Sequence, residues 1–314
     1  MKFDSAAVKV SCGLLAGLLA PGIVHACACG CGVLDVGTSS MFPTSEGGAA
    51  FFQYDYQDQD QNWHGTSIAP AVKNDDKEIT TDFFTLGLQY MFNRKWGVEA
   101  EVPFDYRTFK GMNEDTQKIG QASWMALGDI RLEGIYTGFM PDLSAGITFG
   151  VKLPTGNFRQ TSPELDIDRD TQIGTGSTDI LLGGFYRDNL DRNQQWDWFA
   201  QAQLDVPVLI QDHYRPGVEL DAAAGIDYKG WSVGRAKISP LGQIIFSERT
   251  SDSGANAAHP VASGYQRIML SPGVEVHIHP VKIYADVEIP VFQNFTGDQL
   301  AAAVLFKFSI SYMF

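Results

Sequence analysis

The sequence is poor in cysteine, and the four cysteines it has all lie between Cys12 and Cys31, so disulfides cannot staple the rest of the chain. Long hydrophobic runs are missing beyond residue 26, where no stretch approaches the ~18 consecutive apolar residues of a membrane-spanning helix. This excludes a helical membrane protein. An excess of basic charge is lacking too, because 23 Lys and Arg stand against 37 Asp and Glu, a formal net charge of −14. We therefore expect no nucleic-acid partner.

The first 26 residues have the pattern of a secretory signal. Lys2 and Lys9 give a short basic start, an apolar run extends from Cys12 through Val24, and Val-His-Ala ends at Ala26. Cleavage there makes Cys27 the first residue of the mature chain. An exported protein without a disulfide framework must hold its fold by other means.

The last eleven residues, VLFKFSISYMF, alternate between apolar and polar side chains. One parity carries Val304, Phe306, Phe308, Ile310, Tyr312 and Phe314, and the other carries Lys307, Ser309 and Ser311. A period of two is the period of a β-strand with one apolar face. Because chain ends are usually polar and frayed, this end is typical of a strand embedded in an apolar environment.

Similar alternation recurs in twelve segments, each at least as long as the ~9 to 11 residues with which a tilted strand crosses a bilayer. We predict strands at 48–57, 80–92, 95–107, 124–138, 142–153, 175–187, 195–208, 217–228, 231–247, 265–279, 281–292 and 300–314.

The connections between these segments alternate in length. Short links are predicted near 93–94, 140–141, 189–194, 229–230 and 280, and longer polar links at 58–79, 108–123, 154–174, 209–216, 248–264 and 293–299. Short periplasmic turns and long extracellular loops, with an even number of antiparallel strands, characterise outer-membrane barrels.

We therefore predict an all-β fold, a closed antiparallel transmembrane β-barrel of about 12 strands in the bacterial outer membrane, with both termini periplasmic. Closure is required because hydrocarbon offers no partner for an exposed backbone N–H or C=O. A soluble β-sandwich also has alternating strands, but they are usually ~5 to 6 residues long and its turn lengths need not alternate. The expected parts are a signal peptide at 1–26, a periplasmic Cys/Gly-rich segment at 27–47 and the barrel at 48–314.

If one parity faces lipid, the charged parity faces the lumen, since Arg or Lys facing lipid at mid-depth costs ~2 to 4 kcal/mol. The candidate residues for lining and selectivity are Glu99, Glu101, Asp105, Asp129, Arg131, Glu133, Asp205, Glu219, Asp221, Arg235, Lys237, Glu275, Asp286 and Glu288. Lys152, Asp179, Arg187, Asp197, Asp227, Arg267, Lys282 and Lys307 share that parity. Acids outnumber bases in this set, which predicts a narrow lumen that prefers cations. The alternative is that these charges pair across neighbouring strands, as Lys237 and Asp227 would, and fill a plugged interior.

Three central stretches resemble a known family. They are ALGDIRLEGIYTGF (126–139), GITFGVKLPTGN (146–157) and TQIGTGSTDILLGGFY (171–186), and they look like the outer-membrane family called "MetA pathway of phenol degradation". The resemblance implies an outer-membrane barrel of the transporter type without establishing a phenol substrate. It covers less than a third of the chain.

The last strand also resembles the C-terminal signature of bacterial outer-membrane barrels, with Phe314 last and Tyr312 and Ile310 at successive alternate positions. The resemblance implies that the barrel-assembly machinery recognises this strand. The other expected partners are outer-membrane lipid and small solutes.

Cys27, Cys29 and Cys31 form a CxCxC segment among alanines and glycines. Thiols at this spacing suit a soft ion such as Cu(I) or Zn(II) better than they suit a disulfide with one another. Lipidation of Cys27 and a redox or structural role are the alternatives. His277 and His279 share one strand parity and would make a weak metal site of only two ligands.

The sequence favours a non-enzyme, because no outward Ser-His pair of the kind that outer-membrane phospholipases carry is visible, although a triad is defined by geometry. The predicted function is passage of small cationic or polar solutes through a narrow acidic lumen. The alternatives are a metal-handling outer-membrane protein that uses the CxCxC segment and a barrel enzyme.

Overall fold

The regular secondary structure of the described residues is almost all β-strand. The computed structural model describes residues 42–43, 45–113 and 116–314. Two 3-10 helices, Ala71–Lys73 and Pro260–Ala262, interrupt the strands, and no helix within the described ranges is long and apolar enough to cross a bilayer. The strands are β1 (Gly47–Gly65), β2 (Ser67–Ile68), β3 (Asp76–Met91), β4 (Trp96–Asn113), β5 (Lys118–Leu127), β6 (Ile130–Tyr136), β7 (Ala145–Leu153), β8 (Ser177–Asn189), β9 (Trp196–Ile210), β10 (Glu219–Tyr228), β11 (Trp231–Val233), β12 (Ala236–Arg249), β13 (Tyr265–Ile278) and β14 (Val281–Met313).

The strands form one closed antiparallel ring. Its order is β10-β9-β8-β7-β6-β4-β3-β1-β14-β13-β12, and β12 pairs with β10 to close it. β5 and β6 both pair with β4, so they form one strand of the wall with a break at Gly128 and Asp129. β2 and β11 are short additions beside β1 and β12.

β14 supplies two strands to this ring. Its residues 281–295 pair with β13 and its residues 298–313 pair with β1, both antiparallel. Neighbours in an antiparallel ring alternate in direction, so a closed ring needs an even number of strands. The reversal falls near Gly297, whose φ of +73° suits glycine. The eleven ring elements thus make twelve strands, and the predicted closed barrel is confirmed.

The wall is apolar outside and polar inside. In the second arm of β14 the outward Phe306, Phe308, Ile310 and Tyr312 are 38–54% exposed, whereas the inward Lys307, Ser309 and Ser311 are 3–6% exposed. A water-soluble sheet has the opposite arrangement. The outward face therefore matches a lipid environment, as the alternation predicts.

The two ends of the barrel differ. At the terminal end, where β1 begins and β14 stops, the connections are short and outward aromatic residues contact one another, as do Trp96 with Tyr136 (ring centroids 4.6 Å apart) and Trp196 with Tyr228 (5.2 Å). Phe314 closes the seam there, because its backbone N–H donates to Gly48 O and its C=O accepts from Gly48 N–H. At the opposite, loop end lie the connections 154–176, 211–218 and 250–264.

Two predicted long loops are largely strand. β4 continues to Asn113 and β5 starts at Lys118, where 108–123 was predicted to be loop, and β14 is strand through the predicted loop 293–299. β1 likewise runs to Gly65. Apolar alternation ends where the wall leaves lipid, whereas backbone pairing continues in water, so the pattern marks the membrane-facing portion only.

The prediction that Arg235 faces the lumen is wrong. The predicted strand 231–247 is interrupted, since β11 ends at Val233 and β12 begins at Ala236. Arg235 is exposed in the tip between them, beside Gly234 with φ of +63°. A run of alternating residues cannot reveal a tight turn when the turn preserves the parity.

Candidate functional site

A cavity of about 300 Å³ lies inside the barrel. Strands β1, β3, β4 and β6 to β9 supply most of its lining, together with the connection 154–176. Of the candidate lining residues, those that line it are Glu99, Glu101, Asp105, Asp129, Arg131, Glu133, Asp205 and Glu219, and Lys152, Asp179 and Lys307 of the same parity line it too. These eight residues are thus placed around one cavity, and their part in selectivity stays a prediction.

The other predicted residues lie elsewhere on the inner side. Asp221, Asp286 and Glu288 are 2–5% exposed in the more tightly packed part of the interior, where Asp286 accepts hydrogen bonds from Ser271 and Tyr284. Glu275 is partly buried on the inward parity of β13. Lys237 has the inward parity of β12 but is exposed near the terminal end.

One side of the cavity carries a chain of ion pairs. Lys152 on β7 contacts Asp179 on β8 and lies 2.6 Å from Asp205 Oδ2 on β9. Arg131 Nη2 on β6 lies 3.3 Å from the same oxygen. Asp179 is fully buried and Asp205 is 6% exposed. The alternative of cross-strand pairing holds for this group, which bridges four consecutive strands.

Other carboxylates of the cavity meet neutral donors. Gln89 Nε2 donates to Glu99 (2.7 Å), and Gln203 Nε2 donates to Glu133 (3.0 Å). Glu99 and Glu133 are themselves register partners across β4 and β6. An amide satisfies a carboxylate oxygen without bringing a positive charge to it.

The three stretches that carry the family resemblance meet around Asp129. Its carboxylate accepts hydrogen bonds from Gly156 N–H (2.9 Å), Thr175 N–H (2.7 Å) and Thr175 Oγ1 (2.6 Å). Gly156 and Gly174 touch so closely that a Cβ on either would fall about 2.4–2.6 Å from the other's backbone. We call this group (Gly128, Asp129, Thr155, Gly156, Gly174 and Thr175) the Asp129 knot. It fastens both ends of the connection 154–176 to the break between β5 and β6.

The connection 154–176 turns into the barrel instead of standing in solvent. Arg107 Nη1, on the inner face of β4, donates to the carbonyls of Thr171 (2.7 Å) and Gln172 (3.2 Å). Thr171 is completely buried, and Leu165 packs with Ile79 and other apolar residues. The connection therefore narrows the lumen at the loop end.

Neighbouring loops brace this inward turn. Arg169 lies over the rings of Phe158 (4.4 Å) and Tyr214 (4.6 Å), and Tyr214 donates to Asp252 Oδ2 (2.7 Å). Burial raises the pKa of the Tyr214 phenol well above its usual range, so the hydroxyl keeps its proton and remains a donor.

The terminal end is narrowed by residues that precede the first strand. Phe42 is 8% exposed inside the barrel, stacks on Phe185 of β8 (centroids 4.6 Å apart) and meets Phe199 of β9 edge-on (6.1 Å). Arg187 Nη2 donates to Pro43 O (3.1 Å). Both residues belong to the segment 27–47, for which a periplasmic position is predicted, and both line the cavity. No charge or period marks them in the sequence.

The predicted metal ligands are not brought together in the described ranges. Rings of His277 and His279 are 6.3 Å apart, and among the described residues no group of three or more His, Cys, Asp or Glu side chains is arranged to hold a metal. Cys27, Cys29 and Cys31 and the signal peptide lie outside those ranges. Metal binding and lipidation stay predictions.

This fold is known from bacterial outer membranes. The chain is similar to an outer-membrane channel from Pseudomonas putida F1, with a TM-score of 0.62 and 13% identity over 90% of this chain and 100% of that one. It is also similar to the β domain of the Bordetella autotransporter BrkA, with a TM-score of 0.51 and 12% identity over 86% and 100% of the two chains. No family model and no curated protein matches the chain. The chain therefore has the fold of a bacterial outer-membrane β-barrel, which confirms the predicted barrel class.

Proposed function

We propose that the chain is a transport protein, not an enzyme, and that small solutes cross the outer membrane through its lumen. The observation that carries this proposal is the cavity of about 300 Å³, lined by charged groups and enclosed by an outward apolar wall. Closed barrels of twelve strands lie between side-chain-filled barrels of eight strands and open porins of sixteen or more. A cavity narrowed at both ends fits a gated pathway better than an open pore.

We assign the terminal end to the periplasm and the loop end to the outside, following the short-turn and long-loop arrangement of such barrels. The connection 154–176 and Phe42 then narrow the outer and inner parts of the pathway. Both must move for a solute to pass.

The carboxylates near the terminal end support a preference for cations. Glu99, Glu101 and Glu133 line the cavity, and two of them have amide donors. Negative charge in a confined lumen lowers the barrier for cations and raises it for anions.

In planar bilayers, the reconstituted chain is expected to pass K⁺ in preference to Cl⁻. Combining Glu99→Gln, Glu101→Gln and Glu133→Gln removes three lumen charges and should lower the permeability ratio of K⁺ to Cl⁻ severalfold, as reversal potentials in a salt gradient would report. Glu248→Gln, whose side chain faces outward and accepts from Gln266, is the matched control. Absence of both current and solute uptake into vesicles would contradict transport itself.

We propose that the barrel-assembly machinery recognises the final strand. Phe314→Ser should reduce the protein recovered in the outer-membrane fraction, because the terminal aromatic residue is exposed on the lipid face at the seam. Phe292→Ser changes an outward phenylalanine of the first arm of β14 and should have less effect. Refolding of both purified variants into lipid vesicles separates recognition from stability, and an equal loss for both in cells argues against recognition.

A further inference from the structure

One carboxylate oxygen of Asp105, on β4, receives no hydrogen bond from the chain. The side chain is 6% exposed and lines the cavity, and its buried Oδ1 has no hydrogen-bond partner. A buried acceptor left unsatisfied costs folding free energy, and native structures retain such groups mainly for a purpose. The oxygen therefore points to a donor that arrives from outside the chain.

Two of the nearby bases also bind other groups. Arg107, on the same face of β4, donates through Nε to Thr81 Oγ1 (3.0 Å) and through Nη1 to loop carbonyls. Lys152 lies between Asp179 and Asp205. Since side chains an even number of residues apart share a strand face, Glu101 and Glu99 lie on the same side as Asp105. Glu99 accepts from Gln89, and Glu101 is the register partner of Arg131 on β6. Oδ1 of Asp105 is the oxygen of this row that points to a cationic donor from outside the chain.

Phenylalanine rings accompany the row. Phe83 on β3 is the register partner of Asp105. The ring of Phe51 on β1 lies over Gly87, so closely that a Cβ there would meet it at 1.9 Å, and Gly87 is the register partner of Glu101. Both rings line the cavity. The faces of aromatic rings attract cations, and they also pack against hydrocarbon groups. A hydrated metal ion has no hydrocarbon group to pack there, whereas an organic cation does.

We propose that this cavity binds organic ammonium ions, with the ammonium group at Asp105 and a compact hydrocarbon or aromatic body against Phe83, the register partner of Asp105. The proposal rests on the transport function proposed above and names its substrate class. The cavity volume of about 300 Å³ lies at the small end of ligand pockets, so it selects small amines over long chains.

The test is calorimetric binding to the full chain in lipid vesicles. Benzylammonium is expected to bind at least about tenfold more tightly than its neutral analogue benzyl alcohol and than the ammonium ion, because only benzylammonium uses both the carboxylate and the ring. Asp105→Asn keeps the shape of the side chain and should weaken the binding of benzylammonium by about tenfold, while the binding of benzyl alcohol stays unchanged. Glu248→Gln should change neither.

Equal binding of benzylammonium and benzyl alcohol, or binding indifferent to Asp105→Asn, overturns the inference even where ion current persists. If the ammonium ion binds as tightly as benzylammonium, the inference is also overturned, since the aromatic ring of the cavity then contributes nothing to binding. Circular dichroism of Asp105→Asn guards against loss of fold, and Phe83→Leu supplies a second variant with the same expected direction. Absence of current and of solute uptake would contradict the transport function and leave this inference standing, because calorimetric binding does not depend on passage through the barrel.

Discussion

Asp129→Ala is expected to raise single-channel conductance at least about twofold, because it removes the carboxylate that ties down the connection 154–176. The variant loses three hydrogen bonds from Gly156 and Thr175. Hydrogen bonds to a charged group contribute roughly 1.5–3 kcal/mol each, so their joint loss exceeds the local stability of most surface loops. Hydrogen exchange should show faster exchange confined to residues 154–176.

The control for Asp129 is Asp142→Ala. Asp142 also accepts from a nearby residue, Ser144 N–H and Oγ, and these bonds hold the pKa of its carboxyl below the usual range. It lies in a connection at the terminal end, away from the knot. Asp142→Ala should therefore leave the single-channel conductance unchanged. If Asp129→Ala left both conductance and loop exchange unchanged, the knot would not control the pathway.

Lys152→Met is expected to cost about 3–5 kcal/mol of folding free energy, since it leaves Asp179 and Asp205 buried without the ammonium group between them. The midpoint of urea-induced unfolding in lipid vesicles measures this loss. Adding Asp179→Asn to Lys152→Met should recover part of it, because the double variant buries one charge fewer.

Lys229→Met provides the comparison for the buried chain. Lys229 Nζ lies 3.2 Å from Asp197 Oδ1, but both side chains are about one-third exposed. A solvated pair contributes at most about 1 kcal/mol, so the unfolding midpoint should barely move. Equal shifts for Lys152→Met and Lys229→Met would mean that water enters the cavity freely enough to solvate both pairs.

The wall of the barrel could be predicted because lipid imposes one rule on every spanning strand. Phe306 and Phe308 had to face outward once Lys307 was assigned inward, and the same reasoning located Glu99, Asp105 and Glu133 in the cavity. The rule depends only on neighbours in sequence. It therefore succeeds without any knowledge of which strands pair.

The contents of the lumen follow no such local rule. Asp129, Gly156 and Thr175 each belong to a stretch noticed in the sequence, yet nothing in their spacing says that they meet. The length of β4 beyond the lipid was missed for a related reason, since backbone pairing in water leaves no hydropathy signal. The prediction that Arg235 faces the lumen failed because a tight turn can preserve the alternation of a strand.

The packing of Phe42 inside the barrel has a consequence for the order of folding. Its neighbours Phe185 and Phe199 belong to strands halfway round the ring from β1 and far along the chain, and such distant contacts form late. We therefore expect Phe42 to dock after β8 and β9 have paired and presented these two rings. A molecule that binds Phe185 and Phe199 first would compete with Phe42 for the same surface.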